Sequence, residues 1–181
     1  ANSTTHVTTQ IDKAINYEKS PDTASWYRSG LGIGSGEGAG QGDDGEADYE
    51  HMDIIKDYKL LPFTYDDVAE IYQSGSDSQV ANEVNSGLTI INYCGHGSST
   101  SWGTTGFNNS DVYNLSNGDK LPFVISVACL NGTFHYSSDC FAEAWLRKQN
   151  GGAVATLMAT ISQPWQPPMR GQDYMNDLLT G

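Results

Sequence analysis

Cys129 closes the run L-P-F-V-I-S-V-A-C-L-N-G, and His96 closes the run L-T-I-I-N-Y-C-G-H-G, 33 residues earlier. Each follows an apolar, β-branched stretch that reads as a buried strand of a parallel sheet. Sheets of that kind present reactive groups at the carboxyl ends of their strands. If the two strands are neighbours, an imidazole stands beside a thiol, which is the pairing of a thiolate nucleophile with a general base. A lone buried cysteine is most often a small hydrophobe, and Cys140, in the helical stretch S-S-D-C-F-A-E-A-W, reads that way. Cys129 differs because Asn131-Gly132 turns the chain directly after it. His96 lies between Gly95 and Gly97, which allow close backbone approach and leave N–H groups free to donate. Zinc held by Cys94, His96 and Cys129 is the rival reading, and it lacks a fourth ligand at suitable spacing.

Other chemistry-bearing residues cluster in the loop G-E-G-A-G-Q-G-D-D-G-E-A-D, with Glu37, Asp43, Asp44, Glu46 and Asp48, and in Glu50 just beyond it. Three readings stand. The loop is a solvated acidic surface, or it binds a hard cation such as calcium although it is not an EF-hand, or one carboxylate orients His96 while another receives a cationic side chain. Trp165 and Met169 sit in Q-P-W-Q-P-P-M-R-G, where prolines stiffen the chain; this suits a pocket wall or ordinary packing. His6 and His51 are expected on exposed helix faces. Nothing in the sequence directs His135.

The elements that must position these groups alternate in type. Strands are expected at 29–35, 88–93, 121–127 and 153–160, with another at 59–63. Helices are expected at 5–19, 49–59, 76–85, 109–115, 138–149 and 168–179, and 66–72 reads as an amphipathic turn or short helix. The pattern predicts an α/β fold, a three-layer α/β/α sandwich around a mostly parallel sheet, with residues 1–181 as one catalytic domain or subdomain. His96 and Cys129 should share one edge of that sheet. The formal charge of −13 and pI near 4.3 argue against nucleic acid as a partner and favour cationic substrates. No stretch approaches the ~20 apolar residues of a membrane span. Three cysteines cannot all pair with one another, which keeps a free thiol open. The opening Ala-Asn-Ser-Thr-Thr carries no signal sequence, and the chain is expected to be an internal piece of a longer polypeptide.

The segments N-Y-C-G-H-G-S-S-T-S-W-G-T, L-P-F-V-I-S-V-A-C-L-N-G, C-F-A-E-A and W-Q-P-P-M-R-G-Q-D-Y-M-N resemble the gingipains. These are secreted bacterial cysteine peptidases of family C25 with a caspase-like fold, and the likeness is nearer to the arginine-specific members. The resemblance implies that Cys129 is the nucleophile and His96 the general base. It implies an oxyanion hole from the N–H groups of Gly97 and Cys129, and a histidine-orienting role for Glu37. It places Asp48 at the bottom of a specificity pocket walled near Cys94 and Val127, with Trp165 and Met169 closing over a substrate arginine. Cys94 stands where arginine-specific relatives carry a small hydroxyl residue. The implied activity is cysteine endopeptidase cleavage after arginine through an acyl-enzyme, on protein or peptide substrates, at a secreted or cell-surface location. Structural calcium is expected, with no ligands assigned, and no organic cofactor. Flanking domains of the parent polypeptide are expected as partners: a subdomain before this region, and further strands and an immunoglobulin-like domain after it. The competing class is a catalytically inactive caspase-like binding module of a secreted surface protein.

Overall fold

The apolar runs fold into strands that lie side by side in one direction. In the computed structural model, which describes residues 3–21 and 23–181, these are β1 (Ser29–Gly34), β2 (Asp67–Ile71), β3 (Ile90–Cys94), β4 (Phe123–Val127) and β5 (Ala155–Met158). They form a five-stranded sheet of order β2-β1-β3-β4-β5, parallel throughout. The chain runs outward from β1 to β2, then returns to β3 on the other side of β1. The crevice beyond the strand ends at such a reversal is where open α/β sheets bind ligands. Register decides the rest. Gly34 pairs with Cys94, and Cys94 pairs with Val127, so the ends of β1, β3 and β4 are level. His96 and Cys129 each lie two residues past that line.

Helices cover both faces. They are α1 (Thr4–Lys19), α2 (Asp48–Ile54), α3 (Asp77–Ser86), α4 (Asn109–Asn114), α5 (Phe141–Arg147) and α6 (Gln166–Thr180). Alternate strand residues point to opposite layers. Leu31, Ile33, Ile91, Tyr93 and Val124 pack with Val80 and Val84 of α3, Val112 of α4, and Phe141 and Trp145 of α5. Ile90, Cys94, Ile125 and Val127 pack instead with Met52 of α2 and Met169 of α6. The first layer is aromatic-rich: Trp102 stacks on Tyr93 at 4.7 Å and meets Phe141 edge-on at 5.0 Å. Full burial of such side chains stabilises by about 1.5–3 kcal/mol each. α3 begins with a capping box in which Ser76 and Gln79 bond reciprocally. No helix among the described residues is long and apolar enough to cross a membrane.

The expected α/β/α sandwich is therefore observed, with local corrections. Residues 59–63 are not a strand, because α2 continues as a π-helical turn over Ile55–Leu60. That wider turn brings Ile55 and Leu60, five apart, into the same core cluster. Residues 67–71, expected as a turn or helix, form the edge strand β2. Its buried Val68 and Ile71 are three apart and mimic helical spacing, and only pairing with β1 makes it a strand. α4 is capped by Asn108, whose side chain accepts from the Ser110 N–H. α5 is shorter than 138–149 and opens at Phe141, with Cys140 as its buried cap residue. His51 is fully buried rather than exposed, because its ring is bonded to Glu46 and lies against Asp43 and against Asp173 of α6.

Candidate active site

Beyond the level strand ends, β1 leads to Glu37, β3 to His96 and β4 to Cys129. Glu37 and His96 are joined directly, with Nε2 of the ring 2.8 Å from a carboxylate oxygen. Both side chains are more than half exposed, 61% for His96 and 58% for Glu37, so solvent screens the pair. The loop bearing His96 is fastened from below. The Tyr93 hydroxyl donates to the His96 carbonyl at 2.6 Å, and the Gly103 N–H donates to the same carbonyl at 2.7 Å.

Cys129 sits at a strained corner. Leu130, the next residue, has φ of 64°, in the left-handed region that side-chain-bearing residues seldom occupy. The thiol faces a cleft lined by His96, Val127, Cys129, Gln163, Pro164 and Trp165. The Gln163 N–H points at Sγ from 3.5 Å and helps hold it. Gly97 packs on the backbone of this corner. A Cβ at position 97 would lie 2.9 Å from the Cys129 carbonyl oxygen and 2.8 Å from Ala128 Cβ, so only glycine fits. Among the described residues, neither the Gly97 N–H nor the Cys129 N–H has an acceptor within the fold. Two unpaired donors beside a half-buried thiol are the elements of an oxyanion hole.

Asp48, first residue of α2, is completely buried. Its carboxylate accepts from the Ser35 hydroxyl, from the Cys94 thiol at 3.4 Å and from the Trp165 indole N–H at 2.7 Å. Burial first, and the nearby Asp48 charge second, push the Cys94 thiol well above its ordinary value, which keeps it a donor. Gly38 permits this packing: its φ is +79°, and a Cβ there would meet Asp48 Oδ1 at 2.6 Å. Among the described residues no lysine, arginine or histidine pairs with Asp48. Trp165 also meets the His96 ring edge-on at 5.8 Å, so one indole spans the thiol cleft and the buried carboxylate. Met169 lies fully buried in the core cluster that contains Cys94, Val127 and Trp165, and not on the cleft lining.

Sequence reasoning missed Asn131. It is fully buried, and its amide donates to the carbonyls of Ser98 at 2.7 Å and Ser101 at 3.1 Å while accepting from Ser126 at 2.8 Å. It thereby ties the Cys129 corner to the loop after His96. The Asn-Gly signal marked a turn, but nothing local could reveal partners 30 or more residues away. His135 is exposed and tilted against Tyr136.

The acidic loop is largely engaged in direct bonds. Besides Glu37 and Asp48, Glu50 accepts from the Ala47 N–H at 2.7 Å, and Glu46 meets His51 Nδ1 at 3.1 Å. Asp43, His51 and Asp173 form the one group of three among the described residues whose acidic and imidazole atoms converge enough to hold a metal ion. An imidazole in that set fits calcium poorly, since calcium takes oxygen ligands.

A parallel sheet with thiol and imidazole at adjacent strand ends, helices on both faces and a carboxylate beside them defines a caspase-like α/β domain. Residues 1–180 match the family model described as Peptidase family C25, and the chain belongs to that family. It is 40% identical over 177 residues to Gingipain R2 of Porphyromonas gingivalis, covering 94% of this chain and 24% of that relative. Lys-gingipain from the same organism is 28% identical over 176 residues, covering 96% of this chain and 10% of the relative. Among solved structures, the Arg specific cysteine proteinase gingipain R superposes with a TM-score of 0.95 at 40% identity, over 99% of this chain and 43% of that one. The chain thus spans about a quarter of the length of the curated relative first named.

Proposed function

We propose that this chain is the catalytic core of a cysteine endopeptidase that cleaves after arginine. The observation that carries the specificity is Asp48, a buried carboxylate held by three neutral donors and, among the described residues, no cation, next to the thiol cleft. Burying a charge without a counter-charge is costly. A substrate guanidinium would supply that counter-charge, pairing with two carboxylate oxygens as an ammonium cannot. To reach Asp48 it must displace the Trp165 N–H. The indole is then free to lie over the cation, a contact worth about 0.5–2 kcal/mol.

Catalysis follows from the remaining residues. Glu37 accepts from His96 Nε2–H, which leaves Nδ1 as the basic nitrogen. His96 takes the thiol proton and Cys129 Sγ bonds to the scissile carbonyl carbon, as its π electrons move onto oxygen. The Gly97 and Cys129 N–H groups receive that oxyanion. Collapse breaks the C–N bond, His96 protonates the departing amine, and a thioester remains. Water, deprotonated by His96, attacks the thioester and returns the thiol and a free carboxylic acid. Substrates are peptides or proteins with arginine at the cleavage site, and flanking regions of a longer secreted or surface polypeptide are the partners of this core.

The test is labelling by an arginyl chloromethyl ketone, read by peptide mass spectrometry. Stoichiometric alkylation of Cys129, much slower with the lysyl reagent and absent in Cys129→Ala, is expected. An unlabelled Cys129 in folded protein would instead make the domain a binding module.

A further inference from the structure

Asn131 is fully buried between the two loops that carry the reacting groups. A relay of donors fixes its orientation. The Trp102 indole N–H can only donate, and it gives to the Ser126 hydroxyl at 2.9 Å. That hydroxyl donates onward to Asn131 Oδ1 at 2.8 Å. The amide nitrogen must then face the Ser98 and Ser101 carbonyls, at 2.7 and 3.1 Å, and both its hydrogens are used. The backbone on either side is held as firmly. The Asn131 carbonyl accepts from the Ala142 N–H of α5 at 2.9 Å, and the strained Leu130 donates its N–H to Ile161 at 3.2 Å. Strained residues persist only where their surroundings over-determine them. Across the gap, the Ser98 N–H bonds to the Ser101 carbonyl at 3.0 Å, so Asn131 clasps the turn that leaves Gly97. A Cβ on Gly97 would stand 2.9 Å from Asn131 Nδ2, so the amide lies against Gly97 itself.

We propose that Asn131 is the positioning residue of the oxyanion hole: its amide sets the spacing between the Gly97 and Cys129 N–H groups. The role rests on the peptidase reading. The two donors stand on separate loops, one after β3 and one after β4. Sheet register levels the strand ends but does not reach the residues beyond them. An oxyanion is stabilised only if both donors stand about 2.7–3.1 Å from it, so the gap between the loops has to be set by something else. A neutral amide suits that task, with one acceptor for one hydroxyl and two hydrogens for two carbonyls. Aspartate, of the same size, would turn a carboxylate oxygen towards those carbonyls. Alanine would leave them unpaired and the loops free to part. None of the Asn131 side-chain bonds goes to Cys129, His96, Glu37 or Asp48. Its loss therefore separates oxyanion stabilisation from proton transfer and from cation binding.

The experiment compares wild type with Asn131→Ala in four readouts: turnover of an arginyl peptide, inhibition by a peptidyl arginal, inhibition by benzamidine, and alkylation by iodoacetamide. With the arginal, Sγ bonds to the aldehyde carbon, and the carbonyl oxygen, gaining the electron pair and then the thiol proton, lies in the hole. Benzamidine needs only the cation pocket. Iodoacetamide loses iodide to the thiolate and forms no oxyanion. In Asn131→Ala, kcat should fall about 100-fold, the scale of a donor misplaced by about 1 Å. The arginal inhibition constant should rise by a similar factor. KM, the benzamidine constant and the pH profile of alkylation should not move. Ser126→Ala, which removes only the donor behind Oδ1, should show the same pattern at about 2- to 10-fold and serves if Asn131→Ala does not fold. Alkylation and benzamidine binding that weaken in step with kcat would mean that Asn131 merely holds the corner together, and would overturn the role. Unchanged kcat and arginal binding in a folded variant would overturn it equally. A wild type that iodoacetamide alkylates but that neither turns over nor binds the arginal would overturn the peptidase reading, and this role with it.

Discussion

Glu37 and Asp48 leave the same loop eleven residues apart, yet they occupy opposite environments. Glu37 is 58% exposed and holds one partner, His96. Asp48 is fully buried and holds three donors, none charged. Water can replace most of what Glu37 gives His96, so the pair tunes orientation and little else. Nothing can replace a cation beside Asp48 except a ligand. Two carboxylates of nearly equal intrinsic chemistry are thus divided by burial, and the proposed function makes one a steering group and the other a binding group.

Three substitutions test that division, ordered by expected effect. Asp48→Asn removes one partner of a charge pair buried in the complex, a loss of about 2–5 kcal/mol. kcat/KM on arginyl peptides should therefore fall roughly 30- to 4,000-fold, with the lysyl rate changed far less. Full retention of arginine preference by that variant would misplace the pocket. Trp165→Ala should come next. It removes both a donor to Asp48 and the aromatic face over the guanidinium, and kcat/KM should drop about 2- to 30-fold, mainly through KM. A kcat-only effect would instead tie Trp165 to His96, which its ring also meets. Glu37→Gln should be the mildest, lowering kcat by up to about 5-fold with KM unchanged, the scale of an exposed ion pair. A loss of a thousandfold would mean that Glu37 becomes buried when substrate closes the cleft, and the contrast with Asp48 would disappear in the complex.

Much of this molecule was legible along the chain. The apolar runs ending in Gly-His-Gly and Ala-Cys marked two neighbouring strands, because strands buried on both faces are apolar throughout and short. Turn and cap residues located most helices. The motifs around Cys129, His96 and Trp165 carried the family likeness, since reactive corners demand particular small and polar residues in a row. The edge strand β2 was not legible. Val68 and Ile71 carry helical spacing, and its identity rests on pairing with β1. The π-helical extension of α2 was hidden because Ile55 and Leu60, five apart, fit neither the helical nor the strand period.

The sequence by itself determined the strands β1, β3, β4 and β5, the acidity that suits cationic ligands, and the residue set available for thiol chemistry. These follow from local sterics, periodicity and side-chain composition. Only the tertiary structure decided which carboxylate meets which partner. Register levelled the ends of β1, β3 and β4, bringing Glu37 to His96 across 59 residues and Trp165 to Asp48 across 117. It also buried His51, which helical position alone assigned to the surface. Burial and long-range pairing depend on how layers dock, and no window of neighbouring residues contains that information.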